Sequence, residues 1–523
     1  MPRIGWRLNF GRRIVSDLSL THRSESNLMS RQNQLSSSLV VAFVAITLFG
    51  CNQSYPGIDA INEEDLVRDV TVLAHDDFRG REAGTVDELR GAAWLAERAR
   101  EVGLQPAGED DSYWQFYSMR TVRSSPTSEV LFGGREFSIG SDVLLNSAVE
   151  TSVSGTLVWI GDTPSERIAA SRIRGRPVAA MILPPANPPT PGMSLSDMRY
   201  ARSAIRERSR PLLDKGAMAV VLVSDSISDV AFTMNTSGPQ KGRTRFDTET
   251  TRVRPVDEPP VFWLPAASRR NVSQGQSLRA NLRVESFVYP SASIVAVVPG
   301  TDSELADEYV LFSTHHDHLG VGAPVNGDSI YNGADDNVSA CAALLAIGRA
   351  FVKRPGRRSA LFLFHGAEER GFGGSYTYSR NPTVPEGSIV AVLNADMIAR
   401  NHPDTAALLG SVSPHKNSSD LVEMALAANA AVAGFSIDTS WDSPDHPEFF
   451  FFRSDHRPYA EIGIPVLFYT SMLHTTYHTP LDETELLDFG KLYRFTRWMY
   501  ATGWDVAQAD ARPAIDEGWT YSR

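Results

Sequence analysis

Leu361-Phe362-Leu363-Phe364-His365-Gly366-Ala367-Glu368-Glu369-Arg370-Gly371-Phe372-Gly373-Gly374 is the stretch that decides how this chain is read. It opens with a short apolar run bounded by glycine, the pattern of a buried strand. Two adjacent carboxylates then stand where the strand ends. Strand neighbours face opposite sides, so Glu368 and Glu369 can serve one site only if a turn carries them, and the glycine-rich segment that follows supplies one.

The same grammar recurs on both sides of this stretch. Short apolar runs occupy 294–298, 309–313, 389–394 and 465–469, and helical spacing appears in 340–352 and 421–433. This alternation predicts an α/β domain with a mostly parallel central sheet flanked by helices. In open sheets of this kind ligands sit beyond the carboxyl ends of the strands. Polar clusters stand there: His315-His316-Asp317-His318, Gly333-Ala334-Asp335-Asp336-Asn337, Asn394-Ala395-Asp396-Met397 and, further on, His478-Thr479-Pro480.

Composition limits the alternatives. With 523 residues, 42% of them apolar, the chain can bury more than one core. A net charge of -12, with dispersed Lys and Arg, gives no footprint for nucleic acid, which is not expected as a partner. Arg12, Arg13, Arg23 and Arg31 precede an apolar run over 39–50 that is too short for a permanent membrane helix and suits a signal-peptide core. Residues 1–50 are therefore expected to be a leader and the mature protein to be exported. The run ends Leu48-Phe49-Gly50-Cys51, which resembles a bacterial lipobox with Phe49 bulkier than usual. It implies a lipid anchor at Cys51, and Asn52 after it points to the periplasmic side of the outer membrane. Met29 is an alternative start to Met1. The other of the two cysteines, Cys341, lies in an apolar helical segment and reads as a core residue, so no disulfide framework is available.

The rest of the mature chain divides by texture. Residues 51–130 hold a tether and two helices that should pack on the catalytic domain. The first has its stripe at Leu66, Val70 and Leu73, and the second opens on the capping box Thr85-Val86-Asp87-Glu88 and stops near Gly103. From 131 to 290 short β-like runs such as 155–160 and 178–183 alternate with turn residues, and a helix over 206–216 is expected to break at Pro211. The catalytic domain follows over 291–510, with a tail at 511–523.

His-x-Asp-His, Gly-Ala-Asp-Asp-Asn, Glu-Glu, Asn-x-Asp-Met and His-Thr-Pro in this order resemble the zinc-dependent M28 peptidases, the aminopeptidase and glutamate carboxypeptidase group. The resemblance covers about 290–500 and reaches more weakly to Gly80-Arg81-Glu82-Ala83-Gly84-Thr85. Residues 131–290 resemble the protease-associated domain inserted in some exported peptidases, where a role in substrate access and a role as a spacer are equally open.

That resemblance implies a zinc-exopeptidase fold, a peptide substrate and two zinc ions per chain. Two zinc ions about 3.5–4 Å apart activate water and polarise a carbonyl, and their mutual repulsion calls for anionic ligands with one shared carboxylate. By resemblance, Asp336 bridges, His315 and Asp396 complete one site, and Glu369 and His478 complete the other. Asp336 is chosen over Asp335 because it stands three positions before Ser339, the small residue opening the next helix, and the bond from Asp336 to Asn337 is often cis in the family. Glu368 is the implied general base and acid, and Asp317 the residue whose carboxylate fixes the tautomer of His315.

Other polar residues read more plainly. His316, His318, His365 and His474 are expected to pack or support rather than ligate. His22 leaves with the leader, and His75, His402, His415 and His446 are expected at the surface. Ser454-Asp455-His456 lacks the Gly-x-Ser-x-Gly turn of a serine hydrolase. The preferred reading is an exported aminopeptidase. The alternatives are a carboxypeptidase of the same family, with Arg400 or Arg453 receiving a terminal carboxylate, a glutaminyl-cyclase-like acyltransferase and an inactive envelope binding lipoprotein. Oligomeric state and side-chain preference are not legible.

Overall fold

A ten-stranded sheet organises the chain in the computed structural model, which describes residues 55–522 apart from 191–192, 237 and 249–256. The leader, His22, Met29 and Cys51 lie outside the described residues. The strands are β1 (Gln105–Pro106), β2 (Trp114–Ser124), β3 (Arg243–Phe246), β4 (Val284–Val298), β5 (Tyr309–His315), β6 (Ser359–His365), β7 (Ile389–Ala395), β8 (Thr405–Leu409), β9 (Ser436–Ile437) and β10 (Val466–Thr470). They lie in the order β3-β2-β4-β6-β5-β7-β10-β8-β9, with β1 on β4.

The sheet is mixed rather than mostly parallel. Its middle, β6-β5-β7-β10, is parallel. Antiparallel pairs flank it: β4 on β6, β2 on β4, β3 on β2 and β8 on β10. Parallel neighbours need a crossover long enough to return the chain, and the helices between β5, β6 and β7 supply it; β2 and β4, joined through the insert, pair antiparallel.

Every residue of β6, β7 and β10 is buried, as expected of strands covered on both faces. Period two sends Phe312 and Phe362 to one face and Leu311, Leu361 and Leu363 to the other. The first face carries the larger core, covered by α1 (Glu63–Leu73), α2 (Val86–Glu101), α4 (Ala340–Lys353), α5 (Ser419–Ala428) and α6 (Phe489–Gln508), while α3 (Ser196–Asp214) belongs to the insert. Cys341 is fully buried on α4, as a core residue. Among the described residues no helix is long and apolar enough to cross a membrane.

Local signals set the helix starts. Asn62 caps α1 by accepting from Asp65 N at 2.9 Å, and Thr85 caps α2 by accepting from Glu88 N at 3.4 Å. The expected capping box is only half made. The Glu88 carboxylate is fully buried, accepts from Gly84 N at 2.7 Å and meets Ser291 Oγ on β4, tying α2 to the sheet.

The insert builds two further sheets with their own cores. One has five strands, ordered Leu144–Leu145, Val261–Leu264, Ala219–Val223, Pro177–Met181 and Val158–Gly161. The other has four, ordered Arg135–Glu136, Glu129–Phe132, Ser277–Leu282 and Thr151–Thr156. The run expected at 155–160 is therefore divided between two sheets. The expected break at Pro211 is absent: α3 starts at Ser196 and passes through the proline, which lies close enough to the end at Asp214 for the helix to lose little. Arg208 holds α3 to its neighbours by donating to the carbonyls of Met181, Thr163 and Gly161 at 3.0, 2.7 and 2.8 Å. β3 leaves the insert altogether and pairs with β2 at the edge of the central sheet.

Candidate active site

The turn after β6 divides the glutamate pair. Ala367 takes φ 54°, Gly371 φ 101° and Phe372 φ 61°, and the chain reverses into the helix Gly373–Arg380. Asp317, on the loop after β5, accepts from Glu368 N at 2.9 Å and Glu369 N at 3.3 Å. Both glutamates thereby line one cleft with Asp336, Asp396 and His478.

This corrects the role read for Asp317. The Nδ1 of His315 donates to the backbone carbonyl of Asp317 at 3.1 Å, while the carboxylate stands 3.8 Å away. The tautomer is still set, with Nε2 left for the centre, but the carbonyl sets it. The carboxylate is engaged by the two backbone N–H groups of the glutamate turn.

The remaining residues arrive from three other loops. At the loop before α4, Asp482 accepts from Asp335 N at 3.1 Å and Asp336 N at 3.0 Å, and the Asp336–Asn337 peptide is cis. Asp336 faces the centre: Oδ1 lies 3.3 Å from His315 Nε2 and Oδ2 lies 3.2 Å from His478 Nε2. Asp335 turns away and accepts from Ala399 N at 2.8 Å. Asp396, just past β7, presents Oδ1 at 3.5 Å from His315 Nε2 while Oδ2 accepts from Ser454 Oγ at 2.7 Å. Glu369 Oε1 lies 3.1 Å from His478 Nε2. His478 itself takes φ 56°, a conformation that non-glycine residues hold where the surrounding structure imposes it.

His318 was expected to pack or support rather than ligate. It is fully buried, and its Nδ1 lies 3.0 Å from Glu369 Oε1 and 3.8 Å from Asp336 Oδ2, facing the centre. No spacing rule marks it, because it reaches the site only through the path of the loop after β5. The other histidines of the motifs do pack: His316 Nε2 meets the Ala292 carbonyl at 3.0 Å, His365 meets Tyr459 Oη at 3.3 Å, and His474 Nε2 stands 3.5 Å from Asp335 Oδ2. His75 and His402 are exposed and His446 is half-buried. His415 is not at the surface: it is buried, stacked on Phe451 at 4.3 Å, with Nδ1 2.9 Å from Asp442 Oδ1. Ser454 bonds Asp396 and Asn394, whereas His456 Nε2 donates to the Phe451 carbonyl at 2.6 Å, so no serine triad forms.

The adjacent glutamates are pushed in opposite directions. Burial, then the charges of Glu369, Asp455 and Asp396, hold the Glu368 carboxyl well above the ordinary range, outweighing the opposite pull of His315. Burial also pushes Glu369 up, but His478 and His318 outweigh it and hold that carboxyl well below the range. Burial lowers His478, yet Glu369 and Asp336 raise it to about 9. Two neighbouring carboxyls with opposed environments are the mark of an acid–base group beside a permanently ionised one.

The donor set fits a divalent metal. Glu369 Oε1, Asp396 Oδ1 and His318 Nδ1 are buried without a hydrogen-bond partner. Ligand atoms of His315, Glu368 and Asp396, and of His318, Asp336 and Glu369, each lie within 4.8 Å of one another. Buried imidazole and carboxylate donors converging in this way are held together by a cation.

An α/β sheet whose strand-end loops gather such donors defines a metallohydrolase. Residues 293–502 match the model described as Peptidase family M28, and this part of the chain is an M28 metallopeptidase domain. No curated protein matches the chain significantly. Among solved structures it is similar to a zinc aminopeptidase from Bacillus subtilis, with 16% identity, 88% of this chain and 99% of that one covered, and a TM-score of 0.56. It is also similar to an aminopeptidase from Aneurinibacillus sp. strain AM-1, with 15% identity, 88% and 97% coverage and a TM-score of 0.53. Likenesses that span 88% of the chain extend beyond 293–502 into the segments before it, so the shared fold is not confined to the peptidase domain.

Proposed function

We propose that the protein is an exported exopeptidase with two zinc ions, most specifically an aminopeptidase that removes N-terminal residues from peptides. The observation that carries this reading is Asp336, whose two carboxylate oxygens face different histidines, His315 at 3.3 Å and His478 at 3.2 Å, so that one carboxylate serves two centres. His315 and Asp396 would hold one ion and Glu369 and His478 the other, with Asp336 shared. The bound ions supply Lewis acidity, polarising the scissile carbonyl and lowering the pKa of the attacking water.

The chain's own groups do the rest. Glu368, whose carboxylate has no hydrogen-bond partner among the described residues, takes the proton from the attacking water and returns it to the leaving amine. Asp317 holds the turn that aims Glu368 and Glu369, and Ser454 fixes the orientation of Asp396.

Committed arginines support an aminopeptidase over a carboxypeptidase. Arg453 pairs with Glu448 at 2.6 Å and donates to Tyr477 Oη at 2.9 Å, and Arg400 donates to Thr476 Oγ1 at 3.2 Å. Arg453 is the one arginine among the described residues that line the cleft, so its pairing leaves no free guanidinium there for a terminal carboxylate. The two solved structures named above are themselves called aminopeptidases. Export, and a lipid on Cys51, rest on the leader and on Leu48-Phe49-Gly50-Cys51; a palmitate label retained by the full chain and lost in Cys51→Ala tests the anchor.

The test of the function is zinc content by elemental analysis on protein lacking residues 1–51, with cleavage of free-amine and N-blocked peptides. Two zinc ions per chain and release from free-amine peptides only are expected. Cleavage of blocked peptides from the other end would reverse the terminus, and absence of both zinc and turnover would overturn the reading.

A further inference from the structure

A cavity of about 710 Å³ adjoins the catalytic cleft, with Glu369 and His478 lining both. The cleft at the carboxylates encloses only about 20 Å³, room for one water. The body of any peptide held there therefore lies in the larger space, which is of a size that takes several residues. The insert contributes much of its wall, through α3 and the segment leading into β3.

That wall is cationic. Arg202 on α3 and Arg243 and Arg245 on β3 line the cavity and have no carboxylate partner among the described residues. Arg243 and Arg245, two apart on a strand, share a face. Burial, then the like charges of Arg245 and Arg202, lowers the Arg243 guanidinium from its ordinary value, and among the described residues its side chain donates to the Asn146 carbonyl alone, at 3.0 Å. The other cations of the lining are neutralised. Arg123 meets Glu285 at 2.8 Å, Arg199 meets Glu448 at 2.6 Å, and Lys241 and Arg370 meet Glu82 at 3.1 and 2.7 Å. Glu369, at the catalytic end, is the one carboxylate among the described residues of the lining. Three guanidinium groups without a carboxylate partner among the described residues, in a chain of net charge -12, focus a positive field into one cavity.

We infer that this cavity selects peptides bearing carboxylates downstream of the scissile bond, with Arg202, Arg243 and Arg245 of the insert as the groups that bind them. The inference rests on the peptidase reading, since it assigns the cavity to the part of the substrate that leaves.

Binding separates the two. Zinc-loaded Glu368→Gln protein would be titrated, by fluorescence anisotropy, with labelled Leu-Gly-Glu-Glu amide, Leu-Gly-Gln-Gln amide and Leu-Gly-Gln-Gln with a free carboxyl. A carboxylate is expected to tighten binding about tenfold at low salt, with the gain shrinking as salt rises. Gain from the glutamates upholds side-chain recognition, and gain from the free terminus alone upholds the cavity with the C-terminal carboxylate as its ligand. Combined Arg202→Gln, Arg243→Gln and Arg245→Gln should abolish the gain, and the corresponding lysine substitutions should keep it, which excludes misfolding as the cause. Equal affinities for all three peptides, or a gain that survives the glutamine variant, would overturn the inference. Hydrolysis of the neutral peptide by the unmodified enzyme reports on the peptidase reading independently: cleavage without carboxylate preference sinks the cavity alone, and carboxylate-dependent binding without any cleavage sinks the peptidase alone.

Discussion

Glu368 and Glu369 differ by one position and by what surrounds them. The turn at Ala367 and the two N–H bonds to Asp317 set Glu369 against His478 and His318 and leave Glu368 among other carboxylates. Replacing Glu368 by Gln should lower kcat by about 10²–10⁴-fold with zinc content unchanged, read by steady-state kinetics and elemental analysis on the same sample. Asp317→Asn keeps one acceptor oxygen and sets an NH2 against the second backbone N–H; a loss of about 10–100-fold in kcat at saturating zinc is expected. The pair was legible from the strand and turn pattern alone. The partner of Asp317 was not, because carbonyl and carboxylate of one residue compete for His315 and only the loop path decides. His456 gives a pH signature away from the centre. Burial, then the charges of His415 and Arg457, lowers it from 6.5 to about 3 against the opposing bond to Phe451. The unfolded chain then binds that proton more readily, so the contribution is flat above the unfolded pKa and stability falls as pH drops below it. Between pH 6.5 and 5 the loss is about 2 kcal/mol. In urea melts, His456→Gln should lack this component of the acid sensitivity.

At the scale of elements, packing overrode local rules where neighbours were strong. A proline near the end of α3 costs that helix one interior hydrogen bond, while Arg208 and a row of buried residues hold the rest in place. At Gly503, α6 passes close against β5: a Cβ there would stand 2.1 Å from Phe312 Cζ. Phe312 is fully buried and stacked on Phe362 at 5.2 Å, so the ring cannot yield. Gly503→Ala should destabilise by about 1–3 kcal/mol, seen as a lower Tm, with zinc content unchanged in the folded protein. The central strands were legible because they are apolar throughout. The sheet's direction at its flanks was not, since antiparallel and parallel partners accept the same residues.

At the scale of the whole molecule, one buried carboxylate, Glu448, joins the insert to the loops of the catalytic centre. Glu448 accepts from Ser194 N at 2.6 Å and pairs with Arg199 and Arg453 at 2.6 Å each. The first two belong to the insert. Arg453 in turn donates to Tyr477, whose ring stacks on His478 at 3.7 Å, linking the insert to the centre. Glu448→Ala removes the shared partner of two arginines that retain some solvent contact, for a cost of about 1–2 kcal/mol. Faster limited proteolysis within the insert and a raised KM for peptides are the expected readouts.

The order of histidine and acidic clusters at strand ends, fixed by residue identity and period, was enough to define the α/β domain and the M28 resemblance. So was the choice of Asp336 over Asp335, because the loop motif carries it. Tertiary structure alone decided that His318 faces the centre, that His415 is buried, that β3 rejoins the central sheet and that Arg202, Arg243 and Arg245 meet in one cavity. Periodicity and motif spacing act over a few residues along the chain. Contacts between segments tens to hundreds of residues apart depend on packing and on the field of the folded molecule, which exist only once the chain has closed.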